Sequence, residues 1–246
     1  PNGIVDVEAL RKNVSLPQTA EELRSISTVL KASPDSVFLR EQATETRVKN
    51  TDLKQYRFIA FATHGVLAGE LAGVDEPGLI MTPPVTGTLE DDGYLGSSEV
   101  AQLKLNADWV LLSACNTAAN DGSHNAEGLS GLAKAFFYAG SRSLLVSNWP
   151  VSSTATRDLI TRTVSLYASS PGIRKSDALK QASTEMAAST EHAHPFYWAA
   201  FAVFGGNRAW LAKAQLPAVK ETSLCAARFR LVGHQDYRLA RFAHFR

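Results

Sequence analysis

Cysteine is nearly absent from this chain: two residues, Cys115 and Cys225, in 246. So few thiols cannot build a disulfide framework, and they point to a reducing, cytoplasmic setting. Long apolar runs are missing too. No stretch approaches the ~18–20 residues of a membrane span. The opening PNGIVDVEALRKN has neither the basic start nor the apolar centre of a signal peptide. It begins on Pro1 rather than methionine, which suggests a segment cut from a longer protein. Glycines nowhere fall into a P-loop or dinucleotide-binding pattern, and no internal period marks a repeat array. A strong net charge is also lacking, at +1. From Lys220 onward six basic residues face two acids, a surplus of four, so residues 1–219 carry −3. Basicity therefore belongs to the end of the chain, and nucleic acid is not indicated for the main domain.

What is present is a 45% hydrophobic composition, enough to fill the core of one large α/β domain. Thr19 and Glu22 stand at capping-box spacing ahead of Leu23, Ile26 and Leu30, predicting a helix. Strand candidates follow at 36–40, at RFIAFATHG (57–65), at 78–81, at DWVLLSACNT (108–117), at RSLLVSNW (142–149) and at YWAAFAVFGG (197–206). Between them lie helical stretches: TETRVKNTDL, SSEVAQLKL capped by Ser97 or Ser98, a helix at 128–140 stopped by Gly140, one from Ser152/Ser153, and one at 175–188. The segments at 66–77 and 83–93 read as loops. Alternating strands and helices predict five or six mostly parallel strands covered on both faces. The assignment is a lead-in at 1–15, a domain at 16–210, and a basic tail of unknown role at 211–246.

Two strands stop at reactive side chains, His64 and Cys115. Open α/β sheets present their chemistry beyond the carboxyl ends of their strands, so an imidazole and a thiol would emerge at one edge. A thiolate is the working nucleophile, and a neighbouring imidazole is the usual means of making it. The backbone N–H groups of Gly65 and Cys115 are candidates for an oxyanion hole. Fifty-one positions separate His64 from Cys115, near the ~50 of the caspase pattern. Other candidates carry less. His192 and His194 form an H-x-H without further ligands at suitable spacing, which reads as structural, and no metal or cofactor is expected. His124 follows Cys115 in a polar loop, Glu90, Asp91 and Asp92 read as a solvated loop, and Cys225 has no chemical neighbour in sequence.

FATHG, LLSACNT, EGLSGLAKAFFYAGSRSLLVSNWPV and HPFYWAAFAVFGG, with the lead-ins LPQTAEELRSI and ATETRVKNTDLKQYRFIAFATHG, resemble the CHAT domain, a caspase-like cysteine peptidase family. The resemblance covers residues 16–207. It implies a caspase-like three-layer sandwich with a mostly parallel central sheet, a His64–Cys115 dyad, and attachment to tetratricopeptide repeats or a regulatory protein partner. Ala118 stands where the family often has glycine, and the caspases' own Q-A-C-x-G is absent, so aspartate specificity does not carry over.

The expected activity is that of a cysteine endopeptidase cleaving protein or peptide substrates, latent until activated. The alternatives are a catalytically silent interaction scaffold of the same fold and a flavodoxin-like binder. The substrate pocket is expected around Trp149, Pro150 and Val151. Separase, a relative, has an acid after the tryptophan to receive a basic side chain. Here that position is Pro150, which predicts an uncharged side chain next to the cleaved bond, unless Asp158 or Asp92 supplies the charge.

Overall fold

The structure is a computed structural model, and it describes residues 4–12, 16, 18–71, 73–114, 131–206 and 228–233. In chain order the helices are α1 (Val7–Arg11), α2 (Gln18–Val29), α3 (Glu45–Asn50), α4 (Ser97–Val100), α5 (Gly131–Tyr138), α6 (Ser153–Ser169), α7 (Lys175–Ala187) and α8 (Pro195–Trp198). The strands are β1 (Val37–Leu39), β2 (Tyr56–Ala62), β3 (Gly65–Val66), β4 (Gly78–Ile80), β5 (Tyr94–Gly96), β6 (Trp109–Ser113), β7 (Ser143–Ser147), β8 (Phe201–Gly205) and β9 (Arg228–Gly233).

Six strands form the main sheet in the order β1-β9-β2-β6-β7-β8. All neighbours are parallel except β7 and β8. Every residue of β6 and β7 is buried, which explains their unbroken apolar sequences, since a central parallel strand is covered on both faces. Alternate side chains divide between two cores. Ile59, Phe61, Val110, Leu112, Leu144 and Val146 meet α4 and α5 on one face. Phe58, Ala60, Ala62, Trp109, Leu111 and Leu145 meet α2, α6 and α7 on the other. The result is the expected α/β sandwich, a mixed, mostly parallel sheet between helical layers.

Several details depart from the sequence reading. The strand at 78–81 leaves the main sheet and joins a separate antiparallel one, β3-β4-β5. Its partners β3 and β5 are too short to show a pattern. Residues 228–233, read as part of a tail outside the domain, form β9 between β1 and β2.

The capping box assigned to Thr19 and Glu22 is not formed. The helix begins at Gln18, and the Thr19 hydroxyl donates back to the Leu16 carbonyl at 2.7 Å. The Glu22 carboxyl turns into the interior instead. At α4 the cap is Gly96, whose N–H donates to Glu99 Oε2 at 3.0 Å. Ser97 and Ser98 donate to Glu76 instead. Gly140 does end α5, with φ of +111° and the Leu105 carbonyl 2.5 Å from where a Cβ would stand, so no other residue fits there.

The 83–93 segment is fastened rather than loose. Glu45, buried on α3, accepts the N–H groups of Asp92 and Gly93 at 3.0 Å each, and Lys49 donates to the Glu90 carbonyl at 2.9 Å. Asp92 accepts the Val5 N–H at 2.8 Å. Asp92 is thus a structural anchor and Asp91 accepts the Thr46 hydroxyl, while the Glu90 side chain is exposed as expected of a solvated loop.

Candidate active site at the carboxyl ends of β2 and β6

The two strands that carry His64 and Cys115 in the sequence are neighbours. β2 and β6 run parallel in register from Phe58–Trp109 to Ala62–Ser113. His64 stands two positions beyond the last pair on one strand, and Cys115 two positions beyond it on the other. His64 is half-buried, and its carbonyl accepts the Ile80 N–H at 2.9 Å, which fixes the backbone between the two sheets. Gly65 follows as the first residue of β3, paired with Leu79. Cys115, and with it the thiol and the second N–H of the expected oxyanion hole, lies outside the described residues, as do His124 and Cys225.

Buried hydroxyls hold the strand ends. Thr63 donates to the Ile80 carbonyl. Ser147, at the end of β7, donates to the Ala114 carbonyl at 2.6 Å. Ser113 donates to Glu22 Oε2 at 3.0 Å. Glu22 is 2% exposed, and its other oxygen, Oε1, has no partner among the described residues. Burial pushes this carboxyl up to about 8, against the opposing effects of the Ser113 hydrogen bond and the Arg157 charge. It is therefore neutral at pH 7.

A cavity of about 90 Å³ opens among these groups. His64, Thr63, Ser113, Ala114 and Ser147 line it from the sheet, Thr19 and Glu22 from α2, and Trp149, Val151 and Phe201 from the far side. Trp149 is held by its indole N–H, which donates to the Phe196 carbonyl at 3.0 Å. Of the expected pocket residues, Trp149 and Val151 share this cavity with His64. Pro150 and Asp158 are exposed and do not line it, and Asp158 is paired with Arg157 at 2.8 Å. Asp92 is committed to Val5 and Tyr94.

The family model for the CHAT domain matches residues 8–206. The chain belongs to the CHAT domain family. The match takes in both strands of the candidate site and the caspase-like sandwich is the fold this family implies. The CHAT domain here is also similar to Tetratricopeptide repeat protein 28 of Mus musculus, 26% identical over 222 residues, covering 78% of this chain and 9% of the relative. The Homo sapiens protein of the same name is 26% identical over 226 residues, covering 78% and 8%. The chain thus spans less than a tenth of either relative.

The remaining candidates have structural positions. His194 caps α8, its Nδ1 accepting the Phe196 N–H at 3.1 Å. His192 meets the Tyr197 ring edge-on at 5.0 Å. Among the described residues no group of three His, Cys, Asp or Glu is placed to hold a metal ion, and no helix is long and apolar enough to cross a membrane. A larger hollow of about 770 Å³ runs along α3 beside Lys49, Leu89 and Glu99, but it shares no residue with the strand ends.

Sequence reasoning missed Glu22. Its signal was available: an acid four residues before Ile26 and next to Leu23 sits on the apolar face of its own helix. The capping-box spacing supplied a different reason for a glutamate there, and so hid it.

Proposed function

We propose that this CHAT domain is a cysteine endopeptidase of caspase-like type. His64 takes the proton of the Cys115 thiol, and the thiolate attacks the peptide carbonyl to form a C–S bond. The Gly65 and Cys115 N–H groups stabilise the resulting oxyanion. His64 then gives the proton to the leaving amine as the C–N bond breaks, and water hydrolyses the thioester. The observation that carries this reading is the β2–β6 register, in which both residues follow the final pair by two positions.

The domain is latent when isolated. Ligand sites are commonly about 300–1,000 Å³, and a cavity of about 90 Å³ seats one side chain rather than an extended peptide. A tetratricopeptide-repeat region or a regulatory protein, in a cytoplasmic setting, supplies the opening signal.

A second reading keeps the fold without the chemistry, as a protein-interaction scaffold. It is favoured by the relatives, which are named for their repeats and are matched over less than a tenth of their length. Iodoacetamide labelling over a pH series separates the two. The peptidase reading expects Cys115 to react faster at neutral pH than an unperturbed thiol of pKa ~8.5 and to slow in His64→Ala. It also expects peptide hydrolysis, once the domain is activated, that is lost in both Cys115→Ala and His64→Ala. A Cys115 of ordinary reactivity, indifferent to His64, favours the scaffold.

A further inference from the structure

We propose that Glu22 is a specificity-determining residue, whose carboxyl receives the cationic head of a lysine or arginine side chain entering the cavity beside His64. This rests on the peptidase reading and names its substrate class. Three observations lead to it. Glu22 lines the same cavity as His64 and Ala114, and so stands beside the bond that would be cleaved. Its Oε1 is buried without a partner among the described residues, a state that costs about 1–3 kcal/mol and that a docking donor would relieve. The third is the shape and lining of the space. A water needs roughly 10–15 Å³ of such room, so about 90 Å³ admits a slim side chain. Trp149, Val151 and Phe201 offer apolar walls to a methylene stem, and the carboxyl offers a counter-charge to its head.

The charged groups around Glu22 leave that role open. Arg157 on α6 acts on it electrostatically, but its guanidinium is bonded to Glu21 and Asp158, each at 2.8 Å. Glu21 on α2 is thereby committed as well. His64 faces the same cavity from the end of β2. The expectation of an uncharged specificity pocket rests on Trp149, Pro150 and Val151, with Asp158 or Asp92 named as alternative sources of charge; Glu22 comes instead from a helix far upstream.

The proposal carries a proton signature. With its carboxyl held neutral up to about pH 8, Glu22 must release a proton when a cation binds. Cation affinity should therefore rise about tenfold with each unit of increasing pH up to about 8 and level off above it.

The test has two arms. In the first, the 246-residue chain labelled with ¹³C at the glutamate carboxyls is titrated with n-butylammonium and, separately, n-butanol. The ammonium should move the Glu22 resonance to its ionised position at pH 7 and bind about tenfold more tightly at pH 7 than at pH 6. The alcohol should do neither. Equal binding of the two, or a Glu22 that stays protonated, overturns the proposal. In the second arm the activated protein meets peptides differing only in lysine or norleucine before the cleaved bond. A lysine preference of roughly tenfold or more that disappears in Glu22→Gln is expected. Hydrolysis that needs Cys115 and His64 yet ignores this charge overturns the proposal and leaves the peptidase reading standing. Ionisation by butylammonium, together with peptide hydrolysis by the activated protein that survives Cys115→Ala and His64→Ala, supports the cation site and sinks the peptidase reading.

Discussion

Two glutamates are buried among the described residues, and they are treated differently. Glu45 is 1% exposed, and both its oxygens are occupied. Lys49 donates to one, and the Asp92 and Gly93 N–H groups to the other. Through Lys49 it is joined to Glu99 at 2.6 Å, so α3, the 83–93 segment and the start of α4 form one unit. Glu22 is as deeply placed but has one hydroxyl donor and an unoccupied acceptor. A buried carboxylate kept for structure is surrounded by donors, because each missing one costs stability. Glu22 lacks that arrangement, and it lies on the cavity that His64 also lines.

The largest effect separating the two comes from truncation at the satisfied site. Glu45→Ala should cost about 3 kcal/mol or more, since the Asp92 and Gly93 N–H groups lose their acceptor at roughly 1–3 kcal/mol each, while Lys49 keeps Glu99 and the Glu90 carbonyl. Urea unfolding at pH 7 would measure it. A loss under about 1 kcal/mol would mean that the network is not structural, and the comparison would fail.

Next is the pH dependence of stability at the unsatisfied site. Burial raises Glu22 from 4.5 to about 8, so the folded state keeps a proton that the unfolded chain releases above pH 4.5. The associated stability is full below pH 4.5 and declines as pH rises towards 8, by up to about 1.4 kcal/mol per pH unit. Glu22→Gln removes this term. Between pH 5.5 and 7.5 the wild type should lose about 2–3 kcal/mol more than the variant. Parallel stability curves would show that Glu22 is ionised in the folded protein. Glu45, raised to about 7 mainly by burial, contributes to both proteins equally and cancels in the difference.

The sheet was legible because its information is local. The runs at 57–62, 109–113 and 143–147 announce buried strands, and each ends in polar or small residues that stop them. His64 and Cys115 could be singled out for the same reason, as reactive side chains at strand ends. The parts that could not be read depend on distant partners. Nothing near Glu22 in sequence tells that Ser113, 91 positions away, donates to it. Nothing in 228–233 shows that β1 and β2 have a strand between them. The 83–93 segment reads as a free loop because its anchors, Glu45 and Lys49, lie on a helix some 40 residues earlier. Around His64, Trp149 and Val151 follow β7 closely in sequence, whereas Glu22 reaches the same cavity from α2.

A smaller effect sharpens the comparison at its hinge, Ser113. Ser113→Ala removes the one donor Glu22 has among the described residues, and that hydrogen bond holds the carboxyl's pKa down. The variant should lose about 1 kcal/mol of stability. Its Glu22 should titrate higher still, visible in the same ¹³C spectra, and the lysine preference should weaken without disappearing, because the carboxyl remains. An unchanged Glu22 titration would show that the hydroxyl is incidental.

The smallest expected effect lies at the opposite wall. Trp149 is half-buried and packs beside the core beneath α6 and α7, and its indole N–H donates to the Phe196 carbonyl at 3.0 Å. Trp149→Phe keeps an apolar ring and loses that bond, which is partly open to solvent, so water can serve the freed carbonyl. Stability should fall by less than about 1 kcal/mol. The wall no longer has a fixed angle against the stem of an entering side chain, while the carboxyl and the imidazole are untouched. For an activated protein acting on a lysine peptide, KM should therefore rise a few-fold with kcat nearly constant, the pattern of lost uniform binding. A fall in kcat at constant KM would place Trp149 against the reacting atoms rather than along the substrate's side chain, and the cavity's orientation would have to be reversed.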